Sequence, residues 1–321
     1  MTTLYAATGD GFARLEAAAA SHTTTVTLEG RGVRCLTVDP RDGDTVYAGT
    51  PDGVLRSADG GRNWRALPLA GADVFSLAVS AADGAVYAGT EPSRLHVSRD
   101  AGATWRELDA LRALPSAPDW SFPPRPWTSH VSAIAPDPHD ADRLIAGIEL
   151  GGLMLSRDGG ARWIDHRPGA QKDVHALAWH PRAAGRAYEA GGGGAAWSRD
   201  GGESWRPADA GRPDAYCWGL EVDAEDADTW YVSTAPGPRH AHDPDRDAEA
   251  AIHRWRGDGP WVALATGLTS LPRALAAAPG RLFAGLGDGR LLALDPAGGG
   301  CRRLAPEGPP PARIEALAVA G

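Results

Sequence analysis

One phrase, Ser-x-Asp-x-Gly-x-x-Trp, occurs four times in this chain: at Ser57/Asp59/Gly61/Trp64, Ser98/Asp100/Gly102/Trp105, Ser156/Asp158/Gly160/Trp163 and Ser198/Asp200/Gly202/Trp205. A phrase that returns in this way means one supersecondary unit stacked many times, so the chain is read as an array before any local element is assigned. Each copy follows a short apolar stretch (54–56, 95–97, 153–155 and 195–197), and its Trp opens another. In such a turn the Ser and Asp side chains bond backbone amides, Gly supplies a positive φ and Trp buries its ring under the hairpin. These aspartates therefore have a structural task and are poor catalytic candidates.

The phrase resembles the Asp-box, or bacterial neuraminidase repeat, of sialidases, xyloglucan-directed seven-bladed glycosidases, sortilin-type receptors and the photosystem II assembly factor. The resemblance implies a β-propeller whose boxes lie between the third and fourth strands of each blade, on the face opposite the ligand site. It does not imply a substrate, because these families mix enzymes with binding proteins. The Phe/Tyr-Arg-Ile-Pro motif of sialidases is absent, which argues against a classical sialidase.

A second signature counts the blades. The strand Val46-Tyr47-Ala48-Gly49-Thr50 has relatives at 4–8, 86–90, 144–148, 187–191, 230–234 and 282–286, so seven blades are expected. An inner-strand phrase, Cys35-Leu36-Thr37-Val38-Asp39-Pro40, precedes the second copy, and its relatives begin at Ser76, Ala133, Ala176, Gly219 and Ala274. The first blade has no such strand before it, but Ala316-Leu317-Ala318-Val319 supplies one from the other end of the chain. The fold class is thus all-β: one seven-bladed propeller over 1–321, closed by a C-terminal strand that joins blade one and leaves no open sheet edge. The expected blades are 1–31 with 312–321, 32–72, 73–129, 130–172, 173–215, 216–270 and 271–311.

With 321 residues and a net charge of −9, the chain is a poor partner for nucleic acid or an anionic membrane. It has no signal-like start and no apolar run of about 18 residues, so a cytoplasmic protein is expected. The three cysteines are too scattered for a disulfide framework or a CxxC metal site. No phosphate-binding glycine loop or nucleophile elbow is present: Gly191-Gly192-Gly193-Gly194 is a hairpin loop with no following helix.

Chemistry is expected where the longer loops converge. Two connections are extended, 108–130 and 235–250, and both emerge on the face that carries the starts of the inner strands. In the inner-strand register, the position before each Cys35-like residue is Arg34, Phe75, Ser132, His175, Trp218, Arg273 and Glu315. Two residues earlier stand Gly32, Asp73, His130, Asp173, Tyr216, Leu271 and Arg313. Alternation along a strand gives both rows one orientation at the channel mouth.

Three readings of this ring follow. Arg34, Arg273 and Arg313 come from consecutive blades and would clamp an anionic ligand, with Tyr216, Trp218 and His130 beside it. Asp73, Asp173, Glu149 and Glu315, with His175, are candidate acid–base groups of a hydrolase or lyase. His130, His175, His240 and His242 are candidate ligands for a divalent metal, although the sequence requires no cofactor. Trp120, Phe122 and Trp127, set among prolines, would wall the mouth with aromatic faces suited to a sugar. The expected function is a site for a small anionic or sugar-like ligand, and the alternative is a non-catalytic scaffold for a protein partner.

Overall fold

The computed structural model describes residues 1–320 apart from 123–127 and Asp258. It is a seven-bladed β-propeller. Blade two shows the common order, Cys35–Asp39, Asp42–Thr50, Gly53–Ser57 and Arg65–Ala66, all antiparallel from the axis outward. Blades three, five, six and seven repeat this four-stranded order. Blade four has three strands, and its outermost position is reduced to one bridge, Leu155 to Ile164.

Blade one closes the ring. Ala316–Val319 pairs antiparallel with Thr2–Ala7 in the register Leu4↔Val319 to Ala7↔Ala316, as the repeat requires. The same blade is also gripped from outside, where Ala305–Glu307 lies parallel to Ser21–Thr27. The repeat gives no hint of this fifth strand, because it belongs to no blade unit.

The Ala-Gly signature has a packing cause. A Cβ on Gly49 would lie 2.8 Å from Val74 Cγ1, one on Gly89 2.6 Å from Val131 Cβ, one on Gly147 2.4 Å from Val174 Cγ1, and one on Gly285 2.3 Å from Ile314 Cγ2. In each case the β-branched residue stands at or just ahead of the start of the next blade's inner strand and is fully buried. Glycine at these positions is what lets neighbouring blades close up.

The four Ser-Asp-Gly-Trp turns join third and fourth strands, at the opposite end of the blades from the inner-strand starts, as antiparallel order demands. Ser57 Oγ accepts from the Gly61 amide at 2.9 Å and donates to Asp59 Oδ1 at 2.8 Å, while Asp59 accepts from the Asn63 amide at 2.9 Å. The amide and hydroxyl bonds recur around Ser98, Ser156 and Ser198. The Asn63 amide and side chain hold Asp59 down to about 2, and the Thr104 hydroxyl and amide do the same for Asp100. A carboxyl held below its unfolded value stabilises the fold above about pH 4 and loses that contribution as pH falls towards 2, so these turns loosen in acid.

Asp158→Ala removes bonds from the Arg162 amide (2.7 Å) and the Ser156 hydroxyl (3.1 Å). It is expected to cost about 1–3 kcal/mol in denaturant unfolding while leaving ligand binding at the far face native. Loss of binding in the folded variant would contradict the placement of the turns.

No helix among the described residues is long and apolar enough to cross a membrane. The three cysteines are unpaired.

Candidate functional site

The inner strands do not begin as plain strands. In blades three to seven the pairing to the second strand shifts register between Val74 and Ser76, Val131 and Ala133, Val174 and Ala176, Cys217 and Leu220, and Pro272 and Ala274. The residues set free by these bulges are Phe75, Ser132, His175, Trp218 with Gly219, and Arg273. A bulged residue leaves the ladder and its side chain is re-aimed. Arg34 and Glu315 stand just ahead of their strands. All seven line one cavity of about 870 Å³ at the mouth of the channel.

Two residues beyond each bulge position, Leu36, Leu77, Ile134, Leu177, Leu220, Leu275 and Leu317 form a ring of aliphatic side chains, one per blade. This ring gives the cavity an apolar inner layer. Sequence reasoning missed the layer although its signal is plain: one branched aliphatic residue stands at the same place in every inner-strand phrase.

Of the second row, His130, Asp173 and Tyr216 line the cavity. The structure corrects the arginine clamp. Arg34 lies 3.1 Å from Asp73 and over the Phe75 ring at 4.4 Å, so Arg34 and Asp73 are spent on each other at the rim. Glu315 receives Arg273 on one oxygen at 3.1 Å and Arg313 on the other at 3.2 Å. The three guanidinium groups thus already have carboxylates, and Glu315 is a counter-ion to two of them instead of an unengaged acid or base. Arg313 sits at the rim, 56% exposed, outside the cavity lining.

The four histidines do not form one metal set. His242 and Pro238 of the short helix Pro238–His242 reach the cavity, whereas His240 turns outward to Glu249, 3.5 Å away. Residues two apart on a helical turn point roughly 200° apart, which is why a His-x-His pair that looks chelating on paper is split here. His130 is buried, with Nε2 2.6 Å from Glu149, its ring 4.2 Å from Phe75 and the edge of Phe122 at 5.4 Å. Its Nδ1 lies 3.9 Å from Glu91, a carboxylate that sequence reasoning overlooked because it falls at the end of a second strand.

The aromatic loop divides as well. Phe122 lines the cavity, but Trp120 is an anchor: its Nε1 donates to Ser116 Oγ at 3.0 Å, and Ser116 in turn bonds Asp165 at 2.6 Å. Trp127 lies outside the described residues.

On the adjoining wall His175, Tyr216 and Trp218 cluster with ring centroids 4.5–6.2 Å apart. Burial pushes His242 down to about 4, with Arg273 and His175 adding to the shift, so its ring is neutral near pH 7. Arg273 can only donate, and its Nη2 lies 3.4 Å from His242 Nδ1. Nδ1 is therefore the acceptor, and Nε2–H donates to the Tyr216 oxygen at 2.6 Å. Burial, helped by the Asp173 and Glu149 charges, raises the Tyr216 phenol above its ordinary value. Its proton is thus kept and can be donated into the cavity.

Asp173 packs against Gly192, where a Cβ would stand 2.0 Å from Oδ2, so only glycine admits the carboxylate there. Donor atoms of Glu149, Asp173 and His175 come within 4.8 Å of one another. The acidic pair the fold brings together is therefore Glu149 with Asp173, and Asp73 is not part of it.

Fold and cavity together define a seven-bladed propeller with a polar–aromatic pocket on its loop-rich face. No family model matches the sequence, and neither does any curated protein. Solved structures share the fold. The GH74 xyloglucanase from Xanthomonas campestris superposes with a TM-score of 0.65 at 18% identity, covering 98% of this chain and 52% of its own. The GH74 enzyme of Niastella koreensis gives 0.64 at 16% identity, covering 94% and 47%. YCF48 bound to D1 peptide gives 0.55 at 15%, covering 84% and 81%. This chain spans about half the length of the two GH74 enzymes. Its neighbours thus include both glycoside hydrolases and a propeller that carries a bound peptide.

Proposed function

We propose that the mouth cavity binds a small, uncharged, hydroxyl-rich molecule of the sugar or polyol class, whose hydroxyl groups meet Asp173, Glu149 and Tyr216. One observation carries this reading. The pocket sets carboxylate acceptors (Asp173, Glu149) and a phenol donor (Tyr216) against the faces of Trp218 and Phe122, while each ring arginine is neutralised by a carboxylate of the chain itself. Hydroxyl groups need both acceptors and donors, and sugar rings need flat apolar faces. A free anion would instead need unpaired guanidinium groups. The volume suits one or two sugar rings, at the upper end of the roughly 300–1,000 Å³ common for ligand pockets. A cavity at the mouth of a single propeller favours a short ligand over a polysaccharide lying in an open cleft.

Calorimetric titration with neutral mono- and disaccharides and with sugar acids tests the reading. A neutral sugar is expected to bind more tightly than its acid, and Trp218→Ala to weaken it about tenfold through loss of roughly 1.4 kcal/mol of stacking, with Tm nearly unchanged. Preference for the acids, or no sugar binding alongside capture of an extended peptide, would overturn it.

A further inference from the structure

His175 sits at the bulge of blade five with its side chain 1% exposed. Its Nδ1 lies 2.6 Å from the carbonyl oxygen of Cys217. A carbonyl only accepts, so Nδ1 carries the proton and a neutral ring presents its lone pair at Nε2. That atom is buried with no hydrogen-bond partner and faces Asp173 Oδ2 at 3.4 Å. Asp173 Oδ1 is likewise buried and unpartnered. An oxygen of Glu149 completes a group of three electron-rich atoms within 4.8 Å of one another.

Such atoms repel one another unless positive charge lies between them. We propose that this charge is a divalent transition-metal ion of the Mn²⁺ to Zn²⁺ type, held by His175 Nε2, Asp173 and Glu149. Three further features fit. The 3.4 Å between Nε2 and Oδ2 is the edge of a tetrahedron around an ion with bonds of about 2.05 Å. A ligating histidine normally donates its other ring N–H to a carbonyl or carboxylate, as His175 does to Cys217. Glu149 is itself oriented by His130 at 2.6 Å, the outer hydrogen bond that metal-bound carboxylates have. An imidazole nitrogen in the set favours these ions over Ca²⁺ or Mg²⁺. The three ligands occupy one wall, and the remaining positions face the cavity, where a ligand hydroxyl or a water would complete the shell.

This inference shares a wall of the cavity with the sugar reading, and its test contains no sugar, so failure of the one is distinguishable from failure of the other. The protein is stripped with a chelator, dialysed, and titrated with Mn²⁺, Zn²⁺ and Ca²⁺, each alone, by calorimetry and by Tm. Mn²⁺ and Zn²⁺ are expected to saturate one site per chain and raise Tm, and Ca²⁺ to bind more weakly. Asp173→Asn and His175→Ala should abolish the site, His130→Gln should weaken it about tenfold, and His240→Ala should leave it intact. Without metal, Asp173→Asn should melt at or above the wild type, since carboxylate crowding is relieved. With Mn²⁺ the order should reverse.

That crossing separates a metal ligand from a partner in a plain ion pair. The proposal is overturned by absence of saturable binding, by binding that survives Asp173→Asn and His175→Ala, or by Ca²⁺ binding as tightly as Mn²⁺. It is equally overturned if metal-free Asp173→Asn melts below the wild type, which would put a proton on His175 Nε2 in place of the ion.

Discussion

A chain ending at residue 313 will unfold at a temperature far below the full chain, if it folds at all. The deletion takes away the inner strand of blade one, Ala316–Val319, and with it the register from Leu4↔Val319 to Ala7↔Ala316. It also removes Ile314, which is fully buried with Leu4, Phe283 and Leu291 between blades seven and one. Removing Ile314 side-chain contacts alone is worth about 2–5 kcal/mol, and a domain of this kind has only about 5–15 kcal/mol in total. The outer strand Ala305–Glu307 remains and cannot substitute, because it pairs on the other edge of the same sheet. If the truncated chain is insoluble, Ile314→Ala reports the same closure with a smaller loss of Tm. A truncated protein that melts with the full chain would show that the ring does not depend on this latch.

The second large effect is on pH. Glu189 is fully buried on the second strand of blade five, opposite Leu177 and Ala196, in the register place where the other blades carry Ala6, Ala48, Ala88, Ala146, Val232 and Ala284. Its carboxyl accepts one bond, from the Gln171 amide at 3.0 Å, and Oε1 has no partner. Burial pushes this group up to about 8 from an ordinary 4.5, so the folded protein holds a proton that the unfolded chain has lost. Stability linked to a raised group is complete below the unfolded value and disappears as pH rises through the folded one. The wild type should therefore lose on the order of 3 kcal/mol through this group between pH 5 and pH 8, and Glu189→Gln should be spared that part, while Glu221, pushed by burial up to about 7, titrates in both. Melting curves at the two pH values decide it: parallel profiles for wild type and variant would mean that Glu189 is not the group responsible.

These residues also mark where sequence reasoning succeeds and stops. The seven blades were legible because each rests on local patterns, a turn phrase and an Ala-Gly strand, that repeat whatever lies across the channel. The closing strand was legible for the same reason, as a repeat unit cut in two. Partner choice across the mouth was not. Nothing in the order of residues says that Arg34 is satisfied by Asp73 or that Glu315 serves two arginines, since those pairings depend on distances between blades. The first row of seven lines the cavity as the register implied and the second row does so only in part, but the bulges were not legible, because a bulge changes pairing and leaves the alternation of residue types almost untouched. Glu189 escaped notice because a strong family of small residues at one position hides a single departure.

The bulges carry a consequence for how this face could change over generations. A ladder residue is held by its neighbours on both sides, whereas residues 75, 132, 175, 218 and 273 stand where the ladder slips and 34 and 315 stand just ahead of their strands. Six leucines and an isoleucine make the layer beneath nearly uniform, but the seven above it include two arginines and one each of phenylalanine, serine, histidine, tryptophan and glutamate. A uniform layer and a varied one thus lie one above the other, so the rim reads as seven letters on a fixed dial. New recognition could be spelled there one letter at a time without redrawing the blades.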